Sequence, residues 1–562
     1  MKKIFIAGIL FAFVFVSCNK ENKAPKKVEK MDKNKKKIEY LTREINKFAP
    51  VNLSFDKNLV NEKQKKVLRK LIEATRIMDE IFLRQVYSKN VEIRERLKKG
   101  KDELSKKELE LFNIYYGPFN RLDHDKPFVE GVGPKPLGAN FYPEDMTKEE
   151  FENFVKEHPD LEEAFTSNFT VIRRDKEGKL VAIPYSEEYK PFLEKAAKLL
   201  KEAAKDCENE TVKNYLEKRA DAFLSNDYFE SDMAWMDMKD NAIEVVIGPY
   251  EVYEDALFGY KASFESFVTV KDPKESEKLK TIAKYLVDME KNLPIPDMYK
   301  NFNRGLSSPI AVVYEVYCGG DAGAGVQTTA FNLPNDERVR EAKGSKKVLL
   351  KNVAEAKYQK CWIPIANTVL TKDTLKNVSF NAYFTHTLLH EISHGLGPGI
   401  IVKNGKKTTV NKELKEFYST IEEAKADTLG VYNGIFLTKK GVFPEGFDKK
   451  LITTFIGGIF RSIRFGINEA HGGGNIIIFN YLRDMGVINY NPEEGKFSVN
   501  LDKAEEGFKS LAHELLMLQA TGDYEKTKQF VNTYKVVKPE VKEALEKLKD
   551  VPVDIKPIFP QI

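Results

Sequence analysis

His390 and His394 stand four residues apart, with Glu391 directly after the first, in the run Thr385-His386-Thr387-Leu388-Leu389-His390-Glu391-Ile392-Ser393-His394. On a helix this spacing puts two imidazoles on one face, where their nitrogens converge on a single metal with a glutamate beside them. A catalytic zinc takes a third protein ligand and leaves its fourth position to water. Candidates for that ligand follow in Ser419-Thr420-Ile421-Glu422-Glu423-Ala424-Lys425-Ala426-Asp427. Glu422 and Glu423 point about 100° apart on a helix, so only one faces the metal well. Asp427, one turn after Glu423, shares its face and is placed to accept the remaining N–H of a ligand histidine. His386 would close a four-ligand site and leave no water to activate, so it is read as core or as a neighbour of the ligands.

These residues need elements to hold them. Leu388, Leu389, Ile392 and Leu396 recur at three- and four-residue spacing, with no proline and no glycine before Gly395. A buried amphipathic helix is expected, ended by Gly395, Gly397, Pro398 and Gly399. The second motif lies in a helix-favouring run from about 413 to 437, within a predominantly helical stretch from about 354 to 524. Upstream, 38–239 reads mainly helical, with charged amphipathic segments at 61–84, 91–114, 146–167 and 189–225. Glycines and prolines make 131–142 a loop. Strands are expected at 241–253, 262–270, 310–317 and 326–331, with a helix at 274–292 between the second and third. Pro539, Pro552, Pro557 and Pro560 suggest that the last segment wraps over the body in extended form.

Three further constellations carry polar chemistry. In Glu251-Val252-Tyr253-Glu254-Asp255 a carboxylate such as Glu251 could grip a free ammonium, and the Tyr253 phenol could donate to a developing negative charge. In Phe331-Asn332-Leu333-Pro334-Asn335-Asp336 two amides could bracket a peptide amine or backbone. His471, followed by three glycines, could stabilise a tetrahedral intermediate where the chain allows close approach. Each also has a purely structural reading: a tyrosine under a loop, turn capping, and a hydrogen-bonded core histidine. No phosphate-loop pattern accompanies the glycines.

The 562 residues, 42% hydrophobic and 31% charged, have the composition of a soluble globular protein with more than one domain. Of the net charge of +5, two charges come from Lys2 and Lys3 and six from residues 19–37, leaving the body at −3. That body offers no electrostatic case for nucleic acid. Met1-Lys2-Lys3, an apolar stretch from Ile4 to Val16, and Ser17-Cys18 resemble a bacterial lipoprotein signal, although Phe15 stands where leucine is usual. The expectation is therefore an extracytoplasmic protein anchored through Cys18, with an ordinary cleaved secretory signal as the alternative. Residues 18–37 would form a lysine-rich flexible tether and supply the only membrane contact. Cys207, Cys318 and Cys361 make no disulfide framework, and the role of Cys318 is left open.

Taken together, HExxH, EExxAD, the tyrosine motif, the Asn-Leu-Pro-Asn segment and the Glu-Ala-His histidine resemble the dipeptidyl-peptidase III family of zinc exopeptidases. The resemblance covers about 243–524 and closes on Thr521-Gly522-Asp523-Tyr524. It implies one Zn2+ per chain held by His390, His394 and Glu423, with Glu391 as general base and Glu422 and Asp427 supporting the ligands. Tyr253 and His471 would stabilise the transition state, while Glu251, Asn332 and Asn335 would hold the N-terminus of an oligopeptide. It implies an α+β fold of two lobes around a wide cleft, one mostly helical and carrying zinc, the other mixed with a small β-barrel. The corresponding divisions are a signal at 1–17, the tether at 18–37, and a helical region with the first part of the barrel lobe at 38–271. A helical excursion follows at 272–308, then the rest of the barrel lobe at 309–353, the zinc lobe at 354–540 and the C-terminal wrap at 541–562. Family members usually carry HExxGH, with four residues between the histidines instead of three; the shorter form still places the ligands at i and i+4. Two rivals remain at this point: a zinc hydrolase of another amide or ester, and an anchored peptide-binding protein with a structural zinc. A monomer is the default assembly.

Overall fold

The computed structural model describes residues 24–302 and 309–562, so the expected signal and Cys18 lie outside the described residues. The first element, α1 (Ala24–Asn46), corrects the expected tether, because residues 24–37 are helical. Lysine is a good helix former, Pro25 falls at the helix start, and a Lys36–Asp32 pair spans one turn. Leu41 and Ile45 then bury the end of α1 in a cluster with Phe48 and Phe112.

Strand β1 (Phe48–Asn52) precedes the long helix α2 (Glu62–Val86). Asn61 and Gln64 form a reciprocal capping box at its start, and Leu68, Leu71, Thr75 and Met78 give it a buried stripe. Helices α3 (Lys190–Asp206) and α4 (Glu210–Ser225) follow, with α3 packed beside α2.

Five strands form the mixed sheet: β2 (Ile243–Glu251), β3 (Ser263–Lys271), β4 (Ile310–Gly320), β5 (Ala330–Leu333) and β6 (Lys346–Leu350). Their order is β2-β3-β4-β6-β5, and only the β4–β6 pair is parallel. The sheet is open, which corrects the expected barrel: among the described residues the outer edges of β2 and β5 have no strand partner. Helix α2 covers one face at β3 and β4, while Val312 and Leu349 join a cluster with the metal-motif residues Leu388, Leu389 and Ile392. Helices thus bury both faces, as closure would otherwise do, and β2 and β3 are buried almost throughout. The strand expected from 326 begins only at Ala330, and β6 was not read from the sequence.

The helical lobe is built from α5 (Phe380–Ser393), α6 (Tyr418–Lys439), α7 (Phe447–Ile463), α8 (Ala470–Asp484) and α9 (Leu501–Thr521). Helix α6 is buried on nearly all sides because α5, α7, α8 and α9 surround it. Gly430 permits the closest approach of α5: an added Cβ would lie 3.1 Å from the His386 ring and 3.3 Å from the His390 backbone nitrogen. The chain ends with β7 (Asp554–Ile558), which pairs in parallel with β1 and ties the last segment to the first lobe. No helix among the described residues is long and apolar enough to cross a membrane.

Candidate metal centre

Helix α5 starts at the Ser379 cap and ends at His394, so the second histidine sits where backbone carbonyls lose their helical partners. Lys425 of α6 serves that end, donating to the carbonyls of Ser393 at 2.9 Å and Leu396 at 3.2 Å while pairing with Glu422 at 2.8 Å. The motif reading had passed over this lysine.

Both histidines are held from behind. His390 Nδ1 donates to Asp427 Oδ1 at 2.7 Å, and His394 Nδ1 donates to Glu422 Oε1 at 2.8 Å. The carboxylates are fixed in turn, Asp427 by Asn475 Nδ2 and Glu422 by Gln519 Nε2, both at 2.7 Å. Because a carboxylate only accepts, the proton belongs on Nδ1 and Nε2 is left as the ligand atom. The two Nε2 atoms lie 3.1 Å apart, with Glu423 Oε2 at 3.4 Å from His390 and 3.8 Å from His394. Tetrahedral zinc with bonds near 2.0 Å separates its ligand atoms by about 3.3 Å. The triangle fits one zinc ion, and the choice between the two glutamates is resolved: Glu423 faces the metal while Glu422 holds a histidine. Burial works against the charge of Glu422, but Lys425 and His394 outweigh it and hold its pKa down at about 2. Burial likewise opposes the charge of Glu423, and His390 and His471 keep its pKa well below the usual range.

The neighbours differ in how firmly they are placed. Glu391 receives Lys347 Nζ on its carboxylate at 2.8 Å and on its carbonyl at 3.1 Å, a contact from β6 to the metal helix that sequence reasoning missed. Lys347 stands directly opposite Asn332 in the β5–β6 register, which puts both side chains on one face of the sheet. His471, at the start of α8, is largely exposed and lies 3.1 Å from Glu423 Oε2 through Nδ1. His386 Nε2 lies 3.1 Å from the Asp427 carbonyl and is not among the ligands. Cys318 is buried against the Gln327 amide, and burial pushes its thiol pKa up, away from nucleophilic use.

The remaining expected residues gather on the sheet lobe. Asn335 Nδ2 donates to the Tyr250 carbonyl at 3.0 Å, and its side chain also meets Glu251 at the end of β2. Burial raises the pKa of Glu251 despite the help of Asn335 and Arg340. Glu265 and Asp321, which sequence reasoning left unassigned, crowd the same place; burial raises both, and each acts on the other or on Glu251. Asn332 is exposed, and Tyr253 is 82% exposed on the turn after β2. None of Glu251, Tyr253, Asn332 and Asn335 lines the cavity of about 740 Å³ in which His390, Glu391 and His471 meet Thr328, Thr329 and Ala330 at the start of β5.

Two imidazoles and a carboxylate grouped to hold one ion, a glutamate beside them and a strand edge, unpaired among the described residues, opening on the same cavity define a zinc metallopeptidase. The model of peptidase family M49 matches residues 142–435, which include both metal motifs but not His471. The solved structure of DPP III from Caldithrix abyssi is 59% identical, covers 92% of this chain and 98% of its own, and superposes with a TM-score of 0.89. Dipeptidyl-peptidase III from Corallococcus sp. strain EGB is 44% identical over 93% of this chain and 97% of its own, with a TM-score of 0.76. Nudix hydrolase 3 of Arabidopsis thaliana is 37% identical over 92% of this chain and 74% of its own length. The chain belongs to peptidase family M49. It is a zinc-dependent exopeptidase of the dipeptidyl-peptidase III type, with a site for one zinc ion.

Proposed function

We propose that the protein releases dipeptides from the free N-terminus of oligopeptides. The observation that carries this reading is the acidic, amide-lined corner of Glu251 and Asn335, set beside a strand whose start opens on the metal cavity. An extended peptide added to the outer edge of β5 satisfies its own backbone there, and a terminal ammonium at Glu251 sets how far the chain runs before reaching the metal. Asn332 and Asn335 bracket the first residues.

His390, His394 and Glu423 would hold the zinc, which when bound would supply Lewis acidity for the scissile carbonyl and for water, whose pKa such a metal lowers from about 15.7 toward about 7. Glu391 takes the proton of the attacking water and returns it to the leaving amine. Asp427 and Glu422 keep the imidazoles in one tautomer and orientation. Tyr253 and His471 donate to the oxygen on which negative charge develops, Tyr253 once the sheet lobe and α5 draw together around substrate. A peptide with a free amine is expected to lose its first two residues as a unit, and its N-acetylated form to be inert. Efficient hydrolysis of the acetylated peptide would defeat the exopeptidase polarity.

We further propose that the protein works outside the cytoplasm as a monomer anchored through Cys18. A Cys18→Ser variant should move from the membrane pellet to the soluble fraction; unchanged fractionation would remove the anchor. Light scattering should give about one chain mass, 64.3 kDa without the anchor's changes.

A further inference from the structure

Arg461 stands in the last turn of α7 and lines the cavity shared by His390, Glu391 and His471. Its Nε is enclosed with no hydrogen-bond partner. The titratable groups that bear on it are Tyr383, Asp554 and Cys361, of which Asp554 is the one carboxyl group. That carboxylate is already committed: Oδ2 accepts the Gln327 N–H at 2.8 Å and Lys357 Nζ at 2.9 Å, and Oδ1 accepts the Ile555 N–H at 2.9 Å. Arg464 adds another cation nearby, its own guanidinium donating to the carbonyls of Leu548, Val551 and Pro552. Glu469 also lines the cavity but forms no ion pair with Arg461 among the described residues. Lys357 is thus satisfied by Asp554 and Arg464 by backbone carbonyls, whereas Arg461, which lines the cavity together with Lys357, has the Phe465 ring 6.0 Å from its guanidinium carbon and no hydrogen-bond or ion-pair partner among the described residues.

A guanidinium cannot shed its proton, so a desolvated one whose donors lack partners is stabilised most by an anion, and a carboxylate matches its planar donors. The opposite polarity lies on the sheet lobe, where Glu251, Glu265 and Asp321 cluster. A peptide is an ammonium at one end and a carboxylate at the other, and the metal site stands on the cavity lined by the unpartnered cation. We infer that Arg461 receives a carboxylate from the leaving portion of the substrate, in the first instance its free C-terminus. This rests on the peptidase reading above. A glutamate or aspartate side chain offers the same chemistry and is separated from the C-terminus by the test.

Neutral peptides of three to eight residues are compared as free acids, as C-terminal amides and as amides ending in glutamate, with kcat and KM measured for the wild type, Arg461→Lys and Arg461→Met. The wild type should prefer the free acid about 10-fold in kcat/KM at a defined length, mainly through KM. The ratio of acid to amide should fall to about one in Arg461→Met and recover in part in Arg461→Lys. Rescue of the amide by a terminal glutamate would extend the site to side-chain carboxylates, and no rescue would restrict it to the C-terminus. Equal use of acid and amide by the wild type at every length, or the same ratio in Arg461→Met, would overturn the inference. If Arg461→Met does not fold, calorimetry on the zinc-loaded wild type reads the site directly, with tripeptide acids expected to bind about 10-fold tighter than their amides. Turnover of no unblocked peptide would sink the peptidase reading itself, while the calorimetric comparison still decides Arg461.

Discussion

The metal site and the substrate-facing end of the sheet are built in opposite ways. On α5 both histidine ligands have second partners: Asp427 and Asn475 stand behind His390, and Glu422, Lys425 and Gln519 behind His394. On the sheet lobe Tyr253 and Asn332 project into solvent, and neither Tyr253 nor any of the three expected substrate-binding residues reaches the metal cavity. Ligand geometry is thus set when the helical lobe folds, whereas on the proposed function the substrate side is completed by the peptide itself. A metal that must be held before any substrate arrives needs buried, paired ligands, and a surface that must admit and release peptides needs exposed ones.

This contrast yields graded expectations. His394→Ala should abolish both zinc binding and hydrolysis, read by metal analysis and a dipeptide-release assay; retained stoichiometric zinc would break the assigned ligand set. Glu391→Gln should keep zinc and lower kcat by about 10²- to 10⁴-fold, the range for a general base. Tyr253→Phe should lower kcat by roughly 100-fold while zinc content and thermal midpoint stay unchanged, the signature of a residue from the exposed side. Asp427→Asn should act in the opposite sense, weakening zinc by about 10- to 100-fold in a competition titration with a chelator. Lys347→Met removes a largely buried contact between the lobes, its two side chains 18% and 20% exposed, and should lower the thermal midpoint by about 2 °C. If Tyr253→Phe lost zinc, or Asp427→Asn left its affinity intact, the division between a prebuilt side and an assembled side would fail.

Sequence and structure divided this molecule along physical lines. His390, Glu391 and His394 were legible because a four-residue interval is a property of one helix and needs no tertiary contact to interpret. The β-branched runs of β2, β3 and β4 announced themselves in the same local way, as did the Asp427 face of α6. The lysine-rich start misled the reading because charge content signalled a tether, while α1 is completed by Leu41 and Ile45 further along the chain. Spacing left Glu422 and Glu423 open, the family resemblance implied Glu423, and the tertiary structure groups Glu423 with both histidines; tertiary structure alone left the sheet open under helical cover and brought Lys425, Gln519, Lys347 and Arg461 to their stations. The two lysines and the glutamine act across tens of residues on an element other than their own, and a single lysine, glutamine or arginine in a helical or strand pattern carries no periodic mark of where the fold will take it.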